Sequence, residues 1–216
     1  MSRLPNLSVY VVTDPVQCAA RGLVETMLAA VAGGATVVQL RDKDAPDAVL
    51  VEQGRSLRAA LAGSGVPLIV NDRIPVAAAI GAAGVHLGQA DADIEAARAA
   101  LGPDAIIGLS IQTAGHARAA ERLPIDYVGI GPVFATATKP DHAAPLGFAG
   151  LAAVRAATRF PAVAIGGLQV EHVPGVLDAG CAGLAVVSAI CAAADPREAA
   201  HALRRAIAAH RCEARR

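Results

Sequence analysis

Short β-branched, apolar runs alternate with Ala-rich segments of helical period along this chain. The runs fall at 8–13, 36–41, 68–71, 85–87, 105–109, 127–130, 162–165 and 184–187. Each is mostly apolar without strict alternation and is bounded by Gly, Pro, Asp or Asn, the pattern of parallel strands buried on both faces. Helix-like segments lie between them, among them 23–32, 49–62, 94–101 and 196–209, with turn signals at Gly33-Gly34, Gly63-Ser64-Gly65 and Gly102-Pro103. Repeated βα units with right-handed crossovers give a parallel sheet. About eight such units predict closure into an α/β (β/α)8 TIM barrel rather than an open doubly wound sheet. No GxGxxG follows the first run, which weakens a dinucleotide-binding reading further.

Composition narrows this picture. The 216 residues suit a single domain, 1–216, with the barrel core at about 8–210. Hydrophobic residues make up 54% of the chain and aromatics only 2%, so small aliphatic side chains must fill the core. The 19 basic and 19 acidic residues cancel, which argues against non-specific nucleic-acid binding. No apolar stretch reaches the roughly 18 residues of a membrane span, and the N-terminus shows no signal core. The four cysteines, Cys18, Cys181, Cys191 and Cys212, form no CxxC pair or zinc pattern, as expected of reduced thiols in a cytoplasmic protein. The Arg-rich end at Arg211, Arg215 and Arg216 reads as a frayed, solvated terminus. The partners expected are small-molecule substrates, with no nucleic acid and no membrane. A homo-oligomer is compatible with the sequence, which sets no oligomeric state.

In such a barrel the chemistry sits at the carboxyl ends of the strands. Polar residues gather there from the second run to the eighth: Gln39, Arg41 and Lys43; Asn71 and Asp72; His86, Gln89 and Asp91; Ser110; Thr136, Thr138 and Lys139; Gly166 and Gly167; Val187 and Ser188. Gln39 and Arg41 share one face of a strand and Lys43 extends the row, a cradle for a phosphate or diphosphate. The alternative is that Arg41 and Lys43 pair with Asp42 and Asp44 on a solvated loop. Asp72 and Asp91 leave adjacent strand tips and are candidate ligands for magnesium, which takes carboxylate, water and phosphate oxygens. Asp91 is also a candidate helix N-cap, a role Asp93 could fill instead. The Gly166-Gly167 turn with Ser188 matches the phosphate pocket of these barrels, although a two-glycine turn can simply be a tight turn. The hydroxyl-rich loop 131–140 could hold a second anion or close over a substrate. His86 reads equally as a hydrogen-bonded core residue or a participant. No nucleophile elbow is present.

Together, Tyr10-Val11-Val12-Thr13-Asp14, Gln39-Leu40-Arg41-Asp42-Lys43, Asn71-Asp72, His86-Leu87-Gly88-Gln89 and Gly131-Pro132-Val133-Phe134 resemble the thiamine-phosphate synthase family. So do Thr136, Thr138-Lys139, Ile165-Gly166-Gly167 and Val187-Ser188, so the likeness runs from about residue 8 to 190. It implies that Gln39, Arg41, Lys43, Asn71, Ser110 and Lys139 bind an aminopyrimidine diphosphate. Thr136, Ala137, Thr138, Gly166, Gly167, Val187 and Ser188 would bind a thiazole phosphate, and Asp72 and Asp91 would hold Mg2+. The implied reaction is dissociative, with diphosphate leaving first and the thiazole nitrogen capturing a pyrimidinylmethyl cation. Arg41, Lys43 and Lys139 would stabilise charge, and no dedicated general base is needed. Ala135 stands where the family often has Pro, which predicts a looser loop.

Two rivals make different predictions. A thiazole tautomerase on the same barrel would not need the diphosphate residues, and a non-catalytic sensor would have lost them. Both conflict with the presence of Gln39, Arg41, Lys43, Asp72, Asp91 and Lys139.

Overall fold

A computed structural model of the chain describes residues 4–90, 93–136 and 144–214. Eight parallel strands close into a barrel in sequence order. They are β1 Val9–Val12, β2 Val37–Leu40, β3 Leu68–Asn71, β4 Gly84–Leu87, β5 Ile106–Ile111, β6 Tyr127–Ile130, β7 Ala162–Ile165 and β8 Gly183–Val186. β8 pairs with β1 in parallel register, Tyr10 opposite Ala185, so no edge remains open. The helices are α1 Pro15–Cys18, α2 Leu23–Gly33, α3 Asp47–Ala60, α4 Ile74–Ile80, α5 Ile94–Leu101, α6 Ala114–Ala120, α7 Gly147–Ala156, α8 Val173–Asp178, α9 Ser188–Cys191 and α10 Pro196–Glu213. The eight expected βα units are therefore present. β5 runs two residues further than its apolar pattern suggested, and the one-turn helices α1 and α9 carry too little periodicity to be read in advance.

The unbroken apolar character of the strands has a two-sided cause. Outward residues such as Val11, Val38, Val70, Ile107 and Val128 join the helix faces in one large buried cluster. Inward residues, among them Tyr10, Val37, Ile69, Ile106, Tyr127 and Val163, form a second cluster inside the barrel. Side-chain caps start the helices that follow the strand ends: Asp14 accepts from Gln17 N, Thr113 from His116 N and Asp195 from Arg197 N. Asp93 caps α5 by accepting from Ala96 N at 2.8 Å.

α10 packs against α2 and closes the helical ring, and its last turn corrects one expectation. Arg211 is no frayed end: its guanidinium donates to Ser8 Oγ at 3.0 Å and to Ala182 O, tying the helix to the amino-end floor of the barrel. A terminal cation gains by satisfying strand-end acceptors there, a partner that only the closed ring supplies. Arg215 and Arg216 lie outside the described residues. Cys18, Cys181, Cys191 and Cys212 are free thiols, and among the described residues no helix is long and apolar enough to cross a membrane.

Candidate active site

A pocket opens at the carboxyl ends of the strands, its floor inside the barrel. Gln39, Arg41, Lys43, Asn71, Asp72, Ser110, Thr136, Gly166, Gly167, Val187 and Ser188 all line it. The structure thus brings together every residue expected to bind substrate or metal that it describes, whereas Gln89, also expected at this rim, does not line the pocket and donates to Ser110 O at 2.6 Å. Asp91, Ala137, Thr138 and Lys139 lie outside the described residues.

The cationic row is positioned by β2. Val37, Gln39 and Arg41 alternate inward, so Arg41 emerges on the pocket side just past the strand. Thr13 fixes its backbone from the neighbouring strand: Arg41 N donates to Thr13 Oγ1 at 2.8 Å, and that hydroxyl donates to Arg41 O at 3.1 Å. The loop beyond is folded on Asp42, whose carboxylate accepts from the amides of Asp44 and Ala45. Among the described residues neither Arg41 nor Lys43 pairs with Asp42 or Asp44, so the solvated-pair alternative finds no support. Arg73 holds the loop from the other side, donating to Lys43 O at 2.8 Å, to Ala45 O and to Asp47 Oδ1 at 2.7 Å. A guanidinium with several donors can clamp successive carbonyls, which one residue type in a sequence does not announce.

Asp72 stands in the left-handed region at φ 58°, uncommon for a residue other than Gly, Asn or Asp. Its amide donates to His86 O at 2.9 Å, and Oδ1 accepts from Gly88 N at 3.2 Å. Oδ2 accepts from Asn71 Nδ2 at 2.6 Å. The carboxylate is therefore aimed by donors from β3 and β4 and presents hard oxygen in the pocket. This donor type fits magnesium, which needs only one or two carboxylates beside water and phosphate oxygens. Among the described residues no three His, Cys, Asp or Glu cluster to hold a metal by themselves.

Beneath these groups runs a buried polar chain. Gln39 Nε2 donates to Tyr10 OH at 2.7 Å, Tyr10 OH meets Tyr127 OH at 2.8 Å, and Tyr127 OH meets His86 Nδ1 at 2.9 Å. His86 Nε2 then meets Ser110 Oγ at 3.0 Å. Gln39 is thus engaged inward as well as lining the pocket. His86 has both ring nitrogens engaged and is pushed down to about 4 by burial, so the imidazole is neutral near pH 7. Burial likewise raises Tyr10 and Tyr127 above the usual phenol range. Gly108 makes the space: a Cβ there would lie 2.2 Å from Tyr127 Cζ and 2.4 Å from His86 Nδ1.

The opposite wall is main chain. The loop after β6 continues the ladder, Val133 N donating to Ile165 O at 2.9 Å and Phe134 N to Gly166 O at 3.0 Å. Gly166 (φ 104°) and Gly167 (φ 61°) turn beneath it. A Cβ on Gly166 would sit 2.6 Å from Pro132 Cα, and one on Gly167 2.5 Å from Ala135 O. The two glycines are thus required by packing whatever they bind. α9 opens at Ser188 beside them, with no side chain capping its first amides. Amides so left can take an anion.

Thr13, Arg73 and the two tyrosines were not singled out for a role from sequence. A signal existed for the tyrosines: they are the only two in an aromatic-poor chain, and both sit at inward parity.

A family model described as thiamine monophosphate synthase matches residues 9–190. The chain belongs to the thiamine-phosphate synthase family. It is 53% identical over 199 residues to the thiamine-phosphate synthase of Azorhizobium caulinodans, covering 92% of this chain and 94% of that one. Against the thiamine-phosphate synthase of Xanthobacter autotrophicus it is 54% identical, over 95% and 98% of the two chains. The solved thiamine phosphate pyrophosphorylase of Pyrococcus furiosus superposes with a TM-score of 0.85 at 36% identity, over 95% and 97%. The likeness to thiamine-phosphate synthases thus spans nearly the whole barrel, and with it the chain is a transferase.

Proposed function

We propose that this pocket condenses 4-amino-2-methyl-5-(diphosphooxymethyl)pyrimidine with thiazole phosphate by a dissociative path that depends on magnesium. The observation that carries the reading is the division of one pocket: Arg41, Lys43 and Asp72 on one wall, the Gly166-Gly167 turn and Ser188 on the other. The first wall suits a diphosphate and the second a monophosphate, so two phosphorylated substrates can meet between them.

In the first step the bond between the pyrimidinylmethyl carbon and the diphosphate oxygen breaks, and its electron pair leaves with diphosphate. Arg41 and Lys43 take up the charge that develops on that oxygen. Lys139 would add a third cation, and Asn71 and Gln39 would orient the pyrimidine. Asp72, joined by Asp91, would hold the magnesium. Bound there, magnesium neutralises further diphosphate charge. The thiazole nitrogen then donates its lone pair to the carbocation, forming the new carbon–nitrogen bond. Thr136, Ala137, Thr138, Gly166, Gly167, Val187 and Ser188 would fix the thiazole phosphate for this attack.

No proton has to be removed, which agrees with a histidine that is neutral and engaged on both nitrogens. A neutral floor also spares the cation a like charge. The small-molecule partners and a cytoplasmic location belong to the same reading, with neither nucleic acid nor membrane involved and assembly into a homo-oligomer compatible with it.

The test is an assay with both phosphorylated substrates and magnesium, followed for thiamine phosphate and diphosphate. Product is expected to require magnesium and to fall by about 10²-fold or more in Asp72→Asn, which keeps a side chain tolerant of the left-handed backbone. Binding of thiazole phosphate without product would favour the tautomerase or a sensor instead.

A further inference from the structure

Five polar side chains form one line of single hydrogen bonds, Gln39, Tyr10, His86 and Ser110 lining the pocket and Tyr127 lying behind them. Gln39, Tyr10, Tyr127 and His86 are all buried, and each of these links is made within the protein. A phenol has one proton and a neutral imidazole has one donor and one acceptor. Gln39 Nε2 can only donate, so Tyr10 OH accepts from it, and the arrangement that keeps every proton within the line has Tyr10 donate to Tyr127 OH. In that arrangement Tyr127 donates to His86 Nδ1. The imidazole proton is left on Nε2, facing Ser110 Oγ.

We infer that the line Gln39–Tyr10–Tyr127–His86 orders protons, holding His86 as the Nε2–H tautomer so that Ser110 Oγ accepts from it and directs its own proton to the ligand. The inference rests on the proposed function for the ligand's identity: an acceptor atom of the pyrimidine diphosphate, a ring nitrogen or a phosphate oxygen. Tyr10, Tyr127 and His86 are positioning residues, acting on the substrate through Ser110. The surroundings support one fixed arrangement. Gly108 admits the tyrosine and histidine rings side by side, and Ser110 O is held by Gln89 Nε2 at 2.6 Å. A neutral imidazole is the form in which one nitrogen accepts while the other donates, which matches a ring with a partner on each nitrogen. The opposite order would either leave the Tyr10 proton outside the line or require the Gln39 amide to turn its oxygen to Tyr10.

Two measurements test this. In protein labelled with 15N-histidine, with His86 assigned by its loss in His86→Asn, long-range proton–nitrogen correlation reads the tautomer directly. A pyrrole-like Nε2 and a pyridine-like Nδ1 near pH 7 are expected. A protonated Nδ1, as the neutral ring or as imidazolium, overturns the proposal. The second measurement is a double-mutant cycle on KM for the pyrimidine diphosphate. Tyr127→Phe removes the last phenol proton and should raise that KM about three- to tenfold, the worth of one hydrogen bond, with kcat nearly unchanged. In a Ser110→Ala background the same change should have no further effect. An equal rise in both backgrounds overturns the proposal, because Tyr127 would then act by packing alone. Inhibition by inorganic diphosphate identifies the acceptor: weaker inhibition of Tyr127→Phe assigns a phosphate oxygen, and unchanged inhibition a ring nitrogen. Should the wild-type protein make no thiamine phosphate, the proposed function falls, while the tautomer still decides the proton order.

Discussion

The two walls of the pocket are made of different material. From β2 to β5 the wall consists of side chains: Arg41, Lys43, Asn71, Asp72, His86 and Ser110. From β6 to β8 it is mostly main chain, the glycines 129, 131, 166 and 167 with the opening turn of α9. In the first wall groups such as Arg41 and Lys43 are replaceable one at a time, because the backbone behind them needs no special residue, and Asp72 at φ 58° is the exception. In the second wall the shape is the packing itself, since the loop after β6 lies directly on Gly166 and Gly167. The lesson is that chemistry and stability are separable on one side of the site and inseparable on the other.

The largest expected effect sits on the side-chain wall. Arg41→Ala should lower kcat/KM by about 10²–10³-fold, the usual cost of removing one group that stabilises developing charge. Its unfolding free energy should stay within about 0.5 kcal/mol of the parent, since the residue is partly exposed beyond the strand end. Steady-state kinetics and urea unfolding on the same preparation read both, and a large loss of stability would erase the contrast.

Gly166→Ala inverts the pattern. The residue stands at φ 104° and its new methyl would lie 2.6 Å from Pro132 Cα, backbone that cannot swing aside. Strain and overpacking together should cost roughly 3 kcal/mol of stability in urea unfolding. A variant as stable as the parent would show that the β6 loop adapts and that the main-chain wall is softer than its geometry.

A pH effect of somewhat smaller reach sharpens the comparison from beneath the side-chain wall. His86 is pushed from 6.5 down to about 4 by burial. The unfolded chain therefore binds a proton that the folded protein refuses as the pH falls between those values. Stability is fully present above about 6.5 and is lost on acidification through 4, by an amount on the order of 3 kcal/mol. Unfolding followed from pH 7 to 4 should show this slope, and His86→Asn should lack it. An equal slope in both proteins would place the effect on other groups.

The same division explains what could be read from the chain. The side-chain wall was legible because Gln39, Arg41, Lys43, Asn71 and Asp72 announce themselves by residue type at the ends of apolar runs, and short-range parity puts Gln39 and Arg41 on one face. The Gly166-Gly167 turn was legible as a place but not as a reason. Its glycines look like a turn or an anion site from sequence, and only the contact with Pro132 and Ala135 shows that packing also demands them. The roles of Arg73 and Thr13 were not legible, because their partners are carbonyls, an amide and a carboxylate 26 to 31 residues away. Arg211 was misread for the same reason, its acceptors lying 203 and 29 positions distant.

By itself the sequence determined the barrel, through eight apolar runs each followed by a helical segment, and the end of the barrel at which polar groups collect. Both follow from local periodicity and from the handedness of βα units, which need no knowledge of distant residues. Only the tertiary structure decided what those groups do to one another. Closure of the ring brought Tyr10 of the first strand against Tyr127 of the sixth and set Tyr127 beside His86. Burial there gave each ring nitrogen of the histidine a partner within the protein, and that is a property of the enclosed space rather than of any residue in it.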